Sequence, residues 1–213
     1  MKHYGGLTMN KMLFVTAPLC AALLAVVTAL FTGCGGKGAV EAGRLESADG
    51  CFTLYTYDDA TDRGNSVITL YRESIMDETG GEEAAWTVRG RVSAKYKDGY
   101  AGVVLVPDEK TLERLRGGAE AVKLRISGDG GRYRFSLDTE NVKDGNTFGR
   151  EITAPERAAE IVIPFASLKQ DVWGVQAPFD PALIRNLKIQ TVGQPVSSFS
   201  FTIRRVEVTG GGL

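Results

Sequence analysis

Apolar residues from Cys51 onward recur with a spacing of two, and that spacing most narrows what the chain can fold into. Val122, Leu124 and Ile126 alternate with Lys123, Arg125 and Ser127. Tyr133, Phe135 and Leu137 alternate with Arg132, Arg134, Ser136 and Asp138, and Phe199, Phe201 and Ile203 with Ser198, Ser200 and Thr202. Side chains of a strand point to opposite faces in turn, so these runs predict strands with one face in a core and one in solvent. After Ile203 the phase slips across Arg204-Arg205 before Val206 and Val208, the mark of a β-bulge. Ser127-Gly128-Asp129-Gly130-Gly131 reads as a hairpin turn, with Asp98-Gly99 and Asp144-Gly145 as further turns. Asp108 to Arg116 carries one short helical pattern, a connection with Leu112 and Leu115 on one side, and polar Asp77 to Glu83 reads as a mobile loop. The expectation is an all-β fold, a two-sheet jelly-roll β-sandwich. Trp86, Phe135, Leu137, Ile161, Ile163, Phe165, Phe201 and Ile203 are expected to face its core.

The N-terminal region is of a different kind. Met12 to Phe31 is apolar and uncharged, follows Lys11, and is long enough to span a bilayer. Pro18, the many alanines and the small residues Thr32-Gly33 before Cys34 fit a secretory signal peptide better than a permanent helix. With Cys34 just after the cut, Leu30-Phe31-Thr32-Gly33-Cys34 resembles the lipobox of bacterial lipoproteins, with Phe31 where leucine is usual. That resemblance implies removal of residues 1–33 and acylation of Cys34. Several acyl chains, at about 0.8 kcal/mol per buried methylene, anchor a protein stably. Met9-Asn10-Lys11 is a more natural start than Met1. A retained helix would leave the domain on the same side of the membrane, because the positive charge precedes the apolar run. The expected organisation is a signal peptide at 1–33, lipidated Cys34 and a Gly-rich tether at 34–44, a domain at 45–209, and a tail at 210–213. The expected location is the bacterial cell envelope, anchored to a membrane and facing the periplasm or exterior.

Charge and missing residue types constrain the chemistry. The chain has 25 basic and 26 acidic residues. Loss of residues 1–33 removes Lys2 and Lys11 and no carboxylate, leaving 23 against 26 and a net charge of -3. Such a surface has no footprint for a nucleic-acid backbone. The single histidine, His3, and Cys20 lie before the cut, and Cys34 is committed to lipid, so the domain keeps only Cys51. Ser-His-Asp and Cys-His nucleophiles, Cys/His zinc sites and an internal disulfide are thereby excluded. Glu82-Glu83 and Asp58-Asp59 are adjacent on strands and point to opposite faces, so neither doublet is a glycosidase pair. The reading is non-catalytic. Asp58, Asp59 and Glu207 are candidate oxygen ligands for a structural Ca²⁺. Arg132, Arg134 and Asp138 form either a polar binding stripe or a solvated sheet face.

Four stretches carry a family likeness. They are Tyr55-Thr56-Tyr57-Asp58-Asp59 with Asp62-Arg63-Gly64-Asn65-Ser66; Asp98-Gly99-Tyr100-Ala101-Gly102-Val103; Ile163-Pro164-Phe165-Ala166-Ser167-Leu168; and Phe179-Asp180-Pro181-Ala182-Leu183-Ile184 leading into Leu187-Lys188-Ile189. Together they resemble the jelly-roll domain shared by family 11 carbohydrate-binding modules and the complex I intermediate-associated protein 30 group. Pro164 suits a strand end or edge, and Asp180-Pro181 suits the cap and first residue of a short helix. The resemblance implies ligand binding on a concave sheet face, with Tyr100, Asp144, Asp171 and Trp173 at positions that match sugar-contacting stretches. Ile189-Gln190-Thr191 lacks the tyrosine that sugar-binding members have there. Trp173 is either a stacking platform or a cap on the end of the sandwich. A saccharide is the first expected partner. A protein partner in an assembly role, or a purely structural envelope lipoprotein, are the alternatives.

Overall fold

A computed structural model of the protein describes residues 42–47, 50–77, 79–193 and 195–210. The expected signal peptide and Cys34 lie outside these residues. Among the described residues no helix is long and apolar enough to cross a membrane.

The strands are β1 (Ala42–Ser47), β2 (Gly50–Asp58), β3 (Val67–Met76), β4 (Glu82–Val92), β5 (Ala101–Pro107), β6 (Ala121–Gly128), β7 (Arg132–Thr139), β8 (Phe148–Thr153), β9 (Ala159–Pro164), β10 (Ile184–Thr191) and β11 (Val196–Thr209), with one helix, α1 (Glu109–Arg116), between β5 and β6. They form a six-stranded sheet in the order β1-β2-β5-β10-β7-β8 and a five-stranded sheet in the order β3-β4-β11-β6-β9. Every pairing is antiparallel. The fold is a jelly-roll β-sandwich.

The alternation does what the pleat requires. Phe52, Leu54, Val103, Leu105, Phe135, Leu137, Leu187 and Ile189 of the first sheet are buried, as are Val88, Val122, Leu124, Ile126, Phe201 and Ile203 of the second. Tyr133 packs its ring edge-on to Phe201, with centroids 4.7 Å apart, and ties the two layers together. Burying side chains of this size stabilises the sandwich by about 1.5–3 kcal/mol each. The pairing of β11 with β6 slips between Ile203 and Arg205, so the phase shift is a bulge that returns Val206 and Val208 to the core. Pro164 ends β9, an edge strand, where a missing N–H removes no ladder bond. Asp108 caps α1 by accepting from the Thr111 N–H at 2.8 Å, and Asp180 caps the 3-10 turn at Pro181–Leu183.

Four sequence expectations are corrected. Ser127 to Gly131 is no hairpin: β6 and β7 belong to different sheets. Gly128 and Gly130 donate to the carbonyls of Pro155 and Ala154, and the Asp129 N–H donates to the Ser200 carbonyl. The Asp129 carboxylate accepts from the Tyr133 hydroxyl and from the Gly131 and Ser200 N–H groups. These bonds steer the chain across the sandwich. Glu82 and Glu83 already belong to β4, and Asp77 closes the β3–β4 turn by accepting from the N–H groups of Thr79 and Gly81. Ile161 and Trp86 are only partly buried, Ile161 because it sits where the β8 and β9 edges leave the sandwich open and Trp86 because it lies over the edge strand β1, its indole N–H donating to the Arg44 carbonyl. Finally, β1 begins at Ala42, three residues before the expected domain start.

Candidate functional site

The outward face of the six-stranded sheet gathers the polar chemistry. Across neighbouring strands one row runs Tyr57, Gly102, Gln190, Arg134, Glu151, and the next runs Tyr55, Val104, Lys188, Ser136, Gly149. From β2 to β7 is three strand spacings, about 14 Å. Two glycines let long side chains lie along this face. A Cβ on Gly102 would stand 2.9 Å from Tyr57 Cζ, so only glycine lets the Tyr57 ring cross β5 and donate from its hydroxyl to Gln190 Oε1 at 2.8 Å. A Cβ on Gly149 would stand 2.8 Å from Arg134 Nε, and the bare backbone there admits the guanidinium.

Each end of the row is braced. The Tyr100 ring tilts against Tyr57 with centroids 5.9 Å apart, and its hydroxyl donates to Asp62 Oδ2 at 2.8 Å. Burial, then the bond to Asp62, pushes the Tyr100 phenol up to about 12. Burial, with Tyr100 alongside, raises Tyr57 further, so both hydroxyls stay protonated donors. At the other end Arg134 reaches Asp171 at 3.4 Å and donates to the carbonyls of Thr147 and Lys169. Arg132 pairs with Glu151 at 3.0 Å, and Asp138 with Lys188 at 3.3 Å and Arg185 at 3.4 Å. The Arg132–Arg134–Asp138 stripe is thus one bank of this face.

Tyr100 and Asp171 therefore border one surface. Asp144 serves another purpose. Its carboxylate accepts from the Val175 N–H at 2.7 Å and the Asn146 N–H at 3.1 Å, which together hold it below the usual carboxylate range. It fastens the segment 169–177, whose Lys169 also pairs with Gly149 of β8. Asn146, nearly fully buried, accepts from the Asp171 N–H at 2.9 Å and donates to the carbonyls of Asp171 and Trp173. Gln170 adds bonds to Asn146 and Ala177. Trp173 is half exposed, and Val172 and Val175 beside it are exposed. Asn146 and Gln170 escaped the sequence reading, since an amide in a polar turn carries no signal of burial. Tyr57, Gln190 and Lys188 were readable as outward positions from their alternation with buried Leu54, Leu187 and Ile189.

The three carboxylates considered for Ca²⁺ do not converge. Asp59 is fully buried and accepts from the Ser66 N–H and hydroxyl at 2.9 and 2.7 Å; Asp58 caps the 3-10 turn Asp59–Asp62; Glu207 lies 3.6 Å from Arg205. Among the described residues no three His, Cys, Asp or Glu side chains cluster as metal ligands. Of two open clefts, one of about 500 Å³ beside Arg72 and Glu82 lies away from the row, and one of about 330 Å³ beside Arg150 and Ile161 meets it only at Glu151; both lack its aromatic residues.

Residues 45–203 match the family described as complex I intermediate-associated protein 30. Among solved structures, the chain is similar to the family 11 carbohydrate-binding module from Clostridium thermocellum in complex with a beta-1,3-1,4-mixed-linked tetrasaccharide, with TM-score 0.54, 18% identity, and coverage of 82% of this chain and 98% of that one. It is also similar to the family 11 module of the cellulosomal cellulase Lic26A-Cel5E of Clostridium thermocellum, with TM-score 0.54, 19% identity, and coverage of 82% and 97%. At these identities the likeness is one of fold. No curated protein sequence matches the chain. The family match runs from within β1 to within β11, and the chain belongs to the complex I intermediate-associated protein 30 family.

Proposed function

We propose that this protein is a non-catalytic saccharide-binding domain, carried on a lipid-anchored protein of the bacterial cell envelope. The observation that carries the reading is the braced row Tyr57–Gln190–Arg134, with Tyr100 and Asp171 at its ends, on a face floored by Gly102 and Gly149. Sugar rings present flat C–H faces to aromatic rings and hydroxyls to amides and charges, and the row offers both within about 14 Å. The two structural relatives named above are carbohydrate-binding modules, one of them in complex with a saccharide, which supports this use of the same fold. Binding on an open face buries less of the ligand than a closed pocket does, so affinity is modest. The absence of histidine beyond His3 is consistent with binding without turnover. The lipid anchor rests on Cys34 and the apolar run before it.

A glycan array probed with the full chain tests the reading. Tyr57→Ala and Trp173→Ala should each lower saccharide retention, and Trp173→Ala should leave the thermal midpoint unchanged because its indole is half exposed. A midpoint that falls instead makes Trp173 a structural cap. Cys34→Ser should abolish acyl labelling; labelling that persists removes the anchor.

The exposed Val172, Trp173 and Val175 favour a second reading, an assembly module docking a protein partner. The family's description fits that reading too. An array without a retained glycan, together with a specific protein cross-link from a photoreactive group at position 173, would establish it.

A further inference from the structure

Charge on the outward face of the six-stranded sheet is not balanced pair by pair. Arg132 has Glu151, and Arg134 has Asp171. Lys188 and Arg185, however, share the single carboxylate of Asp138, at 3.3 and 3.4 Å. The carboxylate is the deepest of the three, with 14% of its side chain exposed, against 25% for Lys188 and 42% for Arg185. At this cluster one positive charge is therefore left over, and the cations stand outermost; Asp62, at the far Tyr100 end of the face, is held by a hydroxyl rather than a cation. Glu140 nearby is paired with Arg116 at 2.7 Å and does not neutralise the excess. Lys188 occupies the central strand of this face, in the row that continues through Val104 to Tyr55. The half-buried Tyr55 ring thus stands two strand spacings, about 10 Å, from a partly exposed, under-neutralised cation pair, with Val104 buried between them, in a protein whose net charge is negative.

We propose that the saccharide taken by this face is acidic, a polysaccharide of uronic acid residues, with Lys188 and Arg185 receiving a carboxylate while a neighbouring sugar ring lies against Tyr55. The proposal rests on the saccharide-binding reading and names the class of sugar. A carboxylate bridging the two cations gains charge-assisted hydrogen bonds that a neutral hexose cannot make. A flat sugar face beside them supplies the contact that an acidic polypeptide would lack.

Affinity electrophoresis of the full chain in gels containing polygalacturonate, mixed-linked β-glucan or polyglutamate tests this. Polygalacturonate should retard the chain about tenfold more strongly than β-glucan, the value of one charge-assisted hydrogen bond, and added salt should weaken the retardation. Lys188→Met with Arg185→Met should abolish the preference without changing the thermal midpoint by more than a few degrees. Asp138→Asn removes the internal competitor and should strengthen polygalacturonate binding, a gain that misfolding could not imitate. Equal retardation by β-glucan and polygalacturonate, or an unchanged preference in the double variant, overturns the acidic assignment and leaves the saccharide reading standing. Retardation by polyglutamate as strong as by polygalacturonate overturns it in favour of charge alone. Retardation by none of the three sinks both this proposal and the saccharide reading.

Discussion

Replacing Asn146 with alanine probes how the segment 169–177 is held against the binding face. The side chain is 1% exposed and makes three hydrogen bonds to that segment: from the Asp171 N–H at 2.9 Å, to the Asp171 carbonyl at 3.0 Å, and to the Trp173 carbonyl. A typical intramolecular hydrogen bond contributes about 1 kcal/mol net, so docking of the segment should weaken by about 3 kcal/mol at most. Part is recovered, because the freed loop can turn its polar groups to water. The clamps from Asp144 to Val175 and from Gln170 to the Asn146 backbone carbonyl remain in place. The expected loss is about 2 kcal/mol. Urea denaturation should show a lower midpoint at unchanged slope, and hydrogen exchange should show the Asp171 amide losing protection. Asn146→Asp keeps the acceptor for the Asp171 N–H but sets a carboxylate against two carbonyl oxygens, and should cost at least as much. Asn146→Ala stability within about 0.5 kcal/mol of the parent, a change ordinary for a surface substitution, would refute the reasoning, most clearly with the Asp171 amide still protected.

Three further outcomes follow from the same geometry. Gly102→Val places branched carbon where Tyr57 Cζ and the Ile189 carbonyl already stand 2.9 and 2.6 Å from a Cβ, and should cost about 1–3 kcal/mol while releasing Tyr57 from Gln190, as read by thermal melting and saccharide retention; unaltered values would show that the face tolerates a side chain there. Asp144 titrates below its unfolded value of about 3.9, so its clamp is present above that pH and lost as pH falls through the lower folded value; Trp173 fluorescence should report release only under strong acid, whereas Asp144→Asn should be released at every pH. Because the folded-state pKa values of Tyr57, Tyr100 and Tyr133 are raised, their stabilisation is complete below about pH 10 and is lost as pH rises through the folded values; ultraviolet titration should find all three silent at pH 10, and full ionisation of every tyrosine in the folded protein at that pH would contradict the packing described.

The fold was legible where one residue pattern had one physical solution. Alternation at Val122–Ile126 or Tyr133–Leu137 can be satisfied only by a half-buried strand, and the slipped phase after Ile203 only by an extra residue. Asp129 shows where such reading stops. A Gly-rich turn between two alternating runs looks the same whether the chain doubles back or crosses to the other sheet; what decides is the set of bonds from Asp129 to Tyr133 and Ser200, which join residues distant in sequence. The site divides in the same way. Tyr100 and Asp171 could be placed on one face by motif. Asp144 looked like a ligand carboxylate because its role as a clamp depends on Val175, far along the chain. Asn146 was invisible for a similar reason: its burial is conferred by a loop that folds over it.

The strand order carries a consequence for how the chain comes to be folded. Only β1–β2, β3–β4 and β7–β8 pair with a neighbour in sequence. The last two strands are interior: β10 lies between β5 and β7, and β11 between β4 and β6. Neither sheet can close before residues 184–209 have been made, and six of the nine strand pairings described must await contacts with strands distant in sequence, a topology that folds slowly. A nascent chain of this kind stays open while it is being synthesised. Where export runs through a channel that passes only unfolded chains, placing the keystone strands last would let export, as proposed for this protein, outrun folding.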